Sequence, residues 1–415
     1  MITAKSIVFF YPSRILGGAE YLFIRLSRFL AERGFHVFYV DYSDGFARKE
    51  LAGTDVVFWD FKDGEKTPID AGDYLITPLS NFYRLPDYVD LHLPRMRLFF
   101  WSLHPYNVVH VLPECKMLMR LPETYHRVFL NLFFPGNYKR VRGLLNDLNK
   151  ADAIWFMDEP NLSLNRSLWK IPFSDDYLPI PLEALGNDRT ISDFCPDRLR
   201  IAILGRLSLD KIYSVINVLN RFLAYRTARK RVCHIIGDGE ASGLIDDAKY
   251  TAQIEMQFHT SLKNRELDTF LAENVDILFA MGTSCLAGAS LGIPVIQMDY
   301  GFSPYISDHF HFLYDAKGFS LGDHYEKINP RDCSFQSVLD SCLTTEQKRE
   351  TGLACKDYFF RSHEMRAVAD KMLKKIATGG IDAESYLSRR KTRGKLKKRN
   401  KLIHNIFALF QPKKV

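Results

Sequence analysis

A chain of 415 residues is longer than one ordinary hydrophobic core organises, so two domains are expected. Its composition, 47% hydrophobic and 25% charged, is globular, and no apolar run reaches the length of a membrane span. The net charge of +7 is localised, because residues 386–415 hold 11 Lys and Arg and no acid, which leaves the body mildly acidic and the tail strongly basic.

In chain order, Ser6–Tyr11 is a compact apolar run of strand length. The loop Arg14-Ile15-Leu16-Gly17-Gly18-Ala19-Glu20 follows it. Tyr21–Arg33 has helical periodicity through Leu22, Leu26, Phe29 and Leu30, and Gly34 sits where a helix-ending glycine belongs. Further strands are expected at His36–Asp41, Val56–Phe61, Tyr74–Thr77, Leu98–Trp101 and Ala153–Met157. Strands alternating with helices imply a parallel sheet. Asp158-Glu159 ends the last of these strands and reads as a solvated pair. Leu182–Asp197, rich in Gly, Asn, Asp, Ser and Pro, is the expected linker. A second alternating set follows: strands at Leu199–Leu204, Val232–Ile236, Ile254–Phe258, Val275–Phe279 and Ile293–Met298. A helix runs through Ile212, Val215, Ile216, Leu219 and Leu223, another opens at Gly282-Thr283-Ser284, and Tyr358–Ile376 reads as one long helix. The amino terminus runs straight into a strand without signal-peptide architecture, and the seven dispersed Cys fit reduced thiols, so a cytoplasmic protein is expected.

The stretch Gly205-Arg206-Leu207-Ser208-Leu209-Asp210-Lys211 carries the most chemistry. A strand ends in a glycine, and two cations flank the turn into a helix. Positive charge at the carboxyl end of a strand and at a helix start favours phosphate or diphosphate. Gly282-Thr283-Ser284-Cys285 is a second strand-to-helix turn, whose N–H groups and hydroxyls suit anionic oxygens or ordinary capping. Gly237-Asp238-Gly239 ends another strand and is either a nucleoside contact or a turn. Gly17-Gly18 permits a sharp turn or close approach of a ligand, without forming a G-x-G-x-x-G fingerprint, and Glu20 stands ready to cap the helix or touch a ligand. His104, just past a strand, suits a sugar hydroxyl or an anionic oxygen.

In this order the motifs resemble those of the GT-B glycosyltransferases, close to the large retaining family that uses nucleotide sugars, across most of residues 6–376. Gly17-Gly18-Ala19-Glu20 looks like that family's first-strand loop under the donor diphosphate. Gly205-Arg206 with Lys211 looks like its donor-phosphate motif, Gly237-Asp238-Gly239 like its turn near the nucleoside, and Gly292-Ile293-Pro294-Val295 like the strand that closes the donor site. His104 is placed like the histidine near the transferred sugar. The family's two glutamates, one near the donor sugar and one on the ribose, align with Phe279 and Ala287.

The resemblance implies an α/β protein with two Rossmann-like domains facing a cleft. The expected spans are 1–182 for an acceptor-side domain and 198–357 for a nucleotide-sugar domain. Residues 358–380 would form a carboxyl-terminal helix crossing back, and 386–415 a basic amphipathic tail. It also implies sugar transfer from a nucleotide-sugar donor to a glycan or lipid-linked acceptor in bacterial polysaccharide or lipopolysaccharide assembly. Arg206, Lys211 and His104 would be catalytic. Gly17, Gly18, Glu20, Gly205, Gly237, Gly239, Gly282, Thr283 and Ser284 would line the donor. No cofactor or metal is expected, since cations can neutralise the leaving diphosphate and no Asp-x-Asp motif is present. Residues 386–415, with Leu402–Phe410 as an apolar segment, would hold the protein on an anionic membrane surface. No nucleic-acid partner is expected. A non-catalytic glycan-binding or scaffold protein and a nucleotide-sugar epimerase are the alternatives.

Overall fold

A computed structural model describes residues 5–396 except 15–16, 114, 119–120, 122, 185–190, 261 and 263. The expected apolar segment Leu402–Phe410 and the rest of the tail from residue 397 lie outside the described residues, as does part of the expected linker. The chain divides into two compact units: one ends its first stretch at Leu178, the second is Pro179–Val368, and the chain rejoins the first unit at Ala369.

The first unit is built on β1 (Ser6–Phe10), β2 (His36–Asp41), β3 (Val57–Asp60), β4 (Tyr74–Pro78), β5 (Arg97–Ser102) and β6 (Ile154–Phe156). They lie parallel in the order β3-β2-β1-β4-β5-β6. The side chains of β1, β4 and β5 are almost wholly buried, which is why these strands read as unbroken apolar runs rather than alternating ones. Helices α1 (Gly18–Glu32), α2 (Glu123–Phe133), α3 (Pro135–Lys150) and α4 (Glu159–Trp169) belong to this unit.

The second unit repeats the plan with β7 (Arg198–Leu204), α5 (Ile212–Ala224), β8 (Lys230–Ile236), β9 (Ile254–His259), β10 (Ile277–Ala280), α6 (Thr283–Leu291), β11 (Val295–Gln297) and β12 (His311–Phe312). Its order is β9-β8-β7-β10-β11-β12, parallel except for β12. In both sheets the order reverses beside the first strand. The crevice beyond the strand carboxyl ends at that reversal is where open α/β sheets take ligands: between β1 and β4, and between β7 and β10.

Four expectations change. The division falls at Leu178 rather than 182, for a hydrogen-bonding reason. Leu178 N–H donates to Phe156 O and its carbonyl accepts from Trp101 Nε1, whereas Leu182 N–H donates to His363 O and Met365 N–H to Leu182 O. The single helix expected over 358–376 is two, α7 (Thr345–Ser362) and α8 (Met365–Thr378). The break at His363 is held by the segment that bonds to it, and its ring Nδ1 lies 2.9 Å from Ile180 O. Burial pushes the His363 imidazole down to about 4. Asp158 is not a solvated residue. It is buried and caps α4, accepting from Asn161 N–H at 3.0 Å, while Glu159 accepts from the Ser163 and Tyr177 hydroxyls.

The fourth change concerns the tail. β13 (Ile381–Asp382) pairs antiparallel with the start of β5, through Ile381↔Leu98, and α9 (Ala383–Arg393) follows. Tyr386 is fully buried and donates its hydroxyl to Phe82 O at 2.8 Å. Arg390 donates to Tyr83 O at 2.6 Å, and Arg389 and Arg393 both pair with Asp147. Residues 386–393 are therefore part of the fold, with Arg389, Arg390 and Arg393 engaged by carbonyls and a carboxylate while Lys391 is exposed.

One buried ion cluster ties α7 to the second sheet. Asp276 is wholly buried and accepts from Arg200 Nη2 at 2.8 Å and from Lys348 Nζ at 2.9 Å. Removing the shared carboxylate leaves two cations without a counter-ion, one of them buried. Asp276→Asn is expected to lower stability by about 3 kcal/mol or more, read as a shift of the urea midpoint.

Candidate functional site

The reversal point of the second sheet gathers the residues singled out from the sequence. β7 ends at Leu204, and Gly205, at φ +156, turns the chain. Arg206, Leu207 and Lys211 then line one shallow depression with Gly205, Met281 and Met298. Arg206 is exposed and Lys211 half-buried, and neither forms an ion pair with any described residue. Burial and the neighbouring Arg206 pull the Lys211 ammonium below the usual lysine range, against the opposite pull of Asp210. Asp210 acts on Lys211 through space, and neither cation is in ion-pair contact with a carboxylate among the described residues.

The loop is fixed by its neighbours. Leu207 N–H donates to Asp238 O, and Ala241 N–H to Leu207 O, both at 3.0 Å. The hydroxyl of Ser208 donates to Asp210, whose carbonyl accepts from Gly301 N–H at 3.1 Å, and Glu240 Oε1 accepts from Leu209 N–H at 3.3 Å. Lys211 heads α5, so the ammonium rises from the amino-terminal end of a helix. Gly237 and Gly239 owe their identity to this packing. A Cβ on Gly237 would stand 2.1 Å from Gly205 O, and one on Gly239 2.3 Å from Leu207 O. Backbone contact between the two loops demands both glycines without any ligand.

Beside them, β10 passes through Met281 into Gly282, at φ +67, and α6 begins. Neither Thr283 nor Ser284 caps the helix by its side chain; the capping position is Gly282. Gly282 N–H donates to Leu321 O, and the N–H groups of Thr283 and Ser284 have no acceptor among the described residues. This adds a second helix start to the cations of the β7 loop. Phe279, aligned with the first family glutamate, does not face this site. It lies inside β10, fully buried, stacked 5.5 Å from the Phe335 ring. Ala287 lies one turn beyond Thr283 on α6, half-buried, so the second glutamate's place is vacant of charge.

The residue that sequence reading missed is Asp299, just past β11. Burial pushes its carboxyl up to about 7, although Asp323 N–H donates to it at 2.8 Å. Its carbonyl accepts from the Tyr305 hydroxyl at 3.0 Å and from the Ser214 hydroxyl on α5. The loop it begins reaches Asp210 through Gly301, which links this carboxyl to the cationic turn. No local motif marks it; only the end of a buried strand does.

In the first unit, Gly17 and Gly18 stand at the β1–α1 turn. Gly17 is extended and precedes α1, and a Cβ on Gly18 would meet open space. Glu20, expected at the ligand, turns inward. It accepts from Ser13 Oγ at 3.1 Å, and burial together with Glu20 pushes the Tyr11 hydroxyl up. Its carboxylate lies 2.8 Å from where a Gly17 Cβ would sit, so the protein's own anion occupies this helix start. Asp41 fixes the adjoining loop, accepting from the N–H groups of Ser13, Tyr42 and Ala47. His104 follows β5 on an exposed loop that Asn107 braces through two N–H groups. Its Nδ1 accepts from Tyr106 N–H at 3.2 Å, which leaves Nε2 to carry the proton of the neutral ring. Although the residue is exposed overall, partial shielding of its ring and the nearby His110 hold it below the usual histidine range.

No protein-family model and no curated protein matches this sequence. Solved structures do match the fold. Anabaena Alr3699/HepE, in a complex with UDP and glucose, is similar at TM-score 0.51 and 11% identity, covering 90% of this chain and 99% of that one. A glycosyltransferase from Rickettsia africae ESF-5 is similar at TM-score 0.52 and 13% identity, covering 90% and 97%. The fold is GT-B. Within the GT-B plan, the β7 and β10 turns stand at the reversal point of the second sheet. Among the described residues no helix is long and apolar enough to cross a membrane, and all seven Cys are free thiols.

The Asp299 carboxyl gives a pH prediction. Its folded value near 7 exceeds the unfolded value, so the folded state binds more protons between about pH 4 and 7, and stability falls as pH rises through that window. Asp299→Asn is expected to raise the melting temperature at pH 8 and change it little at pH 5.

Proposed function

We propose that this protein is a glycosyltransferase that moves a sugar from a nucleotide-sugar donor to a glycan or lipid-linked acceptor. The observation that carries the reading is the pair Arg206 and Lys211. They stand together, in no ion pair with any described residue, at the reversal point of the second sheet and beside the start of α6. As the glycosyl bond breaks, negative charge grows on the departing diphosphate. Cations and N–H donors already fixed there stabilise that charge more than they stabilise the ground state. Lys211 gains most, since an anion relieves both its burial and its repulsion by Arg206. The similarity to a structure holding UDP and glucose makes a uridine nucleotide the first donor to try. His104, with a proton on Nε2, is the group we assign to a sugar hydroxyl. Retention of configuration, independence from metal, and a place in bacterial surface-polysaccharide assembly complete the reading. Contact with an anionic membrane falls to the chain beyond Arg393, where Lys395, Lys397, Lys398, Arg399 and Lys401 are clustered.

A second reading has one observation in its favour. The positions aligned with the family glutamates hold a strand-core Phe279 and an uncharged Ala287, as suits a glycan-binding or scaffold protein on the same fold.

Thermal-shift and calorimetric titration with UDP, GDP, ADP and CMP distinguishes the two. UDP is expected to stabilise the protein, and Arg206→Ala or Lys211→Ala to weaken that binding by about tenfold or more. Turnover of a UDP-sugar should fall further than binding, because the cations act on the transition state. Absence of binding by every nucleotide would leave the scaffold reading standing.

A further inference from the structure

Asp299 opens a loop, 299–307, that is fastened along α5, the helix that Lys211 heads. Ser214, Asn217 and Arg221, spaced three and four residues apart, turn one face of α5 toward this loop. The Ser214 hydroxyl donates to Asp299 O, and the Tyr305 hydroxyl lies 2.9 Å from Ser214 Oγ and 3.0 Å from Asp299 O. Asn217 accepts from Ser307 N–H and donates to Ser307 O, both at 3.1 Å, and Arg221 donates to the same carbonyl at 3.0 Å. Gly301 N–H reaches the cationic turn itself, donating to Asp210 O at 3.1 Å.

A second segment grips the same loop. Asp323 N–H donates to the Asp299 carboxyl at 2.8 Å, Tyr300 N–H to Asp323 O at 2.8 Å, and Tyr325 N–H to Tyr300 O at 3.0 Å. The Tyr305 and Tyr325 rings stack 4.0 Å apart. Gly301 lies so close to both that a Cβ there would stand 2.9 Å from Tyr325 and 3.0 Å from Tyr305. The loop is thus a bracket: what moves Asp299 moves Gly301 and, through it, the Asp210–Lys211 turn. Yet burial pushes the carboxyl at its start up to about 7, and it forms no ion pair with any described residue. His311 on β12 attracts its charge, while Asp323 and Asp332 repel it. His311 is itself held 2.8 Å from Asp332, and Asp323 pairs with Lys327 at 3.0 Å. Cys285 on α6 and Tyr305 on the loop also feel the charge, but burial pushes both above their usual ranges, so neither titrates near neutral pH.

We propose that Asp299 is a positioning residue for the donor site: with its carboxyl neutral the bracket holds the Asp210–Lys211 turn in place for a diphosphate, and with its carboxyl ionised the bracket loosens and the grip weakens. A carboxylate there is relieved by shifting toward water, which draws Gly301 away from Asp210 O. The inference rests on the donor reading of Arg206 and Lys211 and adds a proton to it. By linkage, if protonation tightens the grip on a diphosphate, diphosphate binding takes up a proton.

Calorimetric titration of the full chain with UDP at pH 6 and pH 8 tests it. Between the two, the parent is expected to lose about fivefold more affinity than Asp299→Asn. Comparing the two proteins cancels the titration of UDP and of the shared cations. At pH 7, runs in two buffers of different ionisation heat should show the parent taking up more protons on binding than the variant. Tyr305→Phe keeps the ring stack and removes the hydroxyl that fastens the loop to α5. It should weaken UDP binding at both pH values, and it serves if Asp299→Asn folds poorly. A merely structural Asp299 would move the melting temperature and leave the pH profile of affinity as it is in the parent. That result overturns the proposal, as does a Tyr305→Phe variant that binds as tightly as the parent. Inorganic pyrophosphate separates this failure from failure of the donor reading. If neither UDP nor pyrophosphate binds the parent at pH 6, the donor reading falls and the inference with it; where pyrophosphate alone binds, the same comparison is read with pyrophosphate.

Discussion

Two positive charges carried on one turn, neither in an ion pair with a described residue, set the terms for the second unit. Arg206 and Lys211 repel each other, and burial makes the lysine's charge dearer still. Here the backbone is fixed by direct contact of two loops, with Gly205 and Leu207 packed against Gly237 and Gly239 so closely that a methyl group would not fit. The glycines hold in place the turn that carries both cations. The asymmetry between the two units follows. At the corresponding helix start of the first unit, Glu20 already supplies the negative charge and is tied down by Ser13. At the second unit's reversal point the cations of the β7 turn have no such carboxylate in ion-pair contact among the described residues.

The sheets were legible because both are parallel and covered. Strands such as Phe9–Phe10, Phe99–Trp101 and Ile201–Leu204 are buried on both faces, so they appear in the sequence as short unbroken apolar runs between turn residues. The turns at Gly205, Gly237 and Gly282 were legible for the same reason: a strand ends, and a glycine with positive φ follows. What glycine means at each turn was not legible. At Gly237 and Gly239 it answers a neighbouring loop distant in sequence, and nothing local distinguishes that from a ligand's approach. Asp299 was invisible on similar grounds, since its burial comes from elements far along the chain.

The carboxyl-terminal basic run shows the opposite failure. Counting charges marked residues 386–415 as one tail, yet the division lies within it. Arg389, Arg390 and Arg393 find a carboxylate and carbonyls across α3 and the Phe82–Tyr83 turn, and Tyr386 is buried to the last atom. An arginine that satisfies a helix neighbour and one that meets a headgroup look alike in sequence. The helical break at His363 was hidden in the same way. The residues on either side continue a good helical pattern, and the interruption comes from Ile180 and Leu182, which bond to His363 across the sequence.

The pairing of Ile381 with Leu98 has a consequence for how the chain is made. The second unit is inserted between the strands of the first sheet and the last piece that closes its edge. During synthesis the amino-terminal sheet emerges early but keeps the start of β5 unpaired while the whole second unit is translated and collapses. An open strand edge recruits other chains. The nascent first unit is therefore the part a ribosome-associated chaperone has reason to guard, and the unit that begins first is the one that finishes folding last.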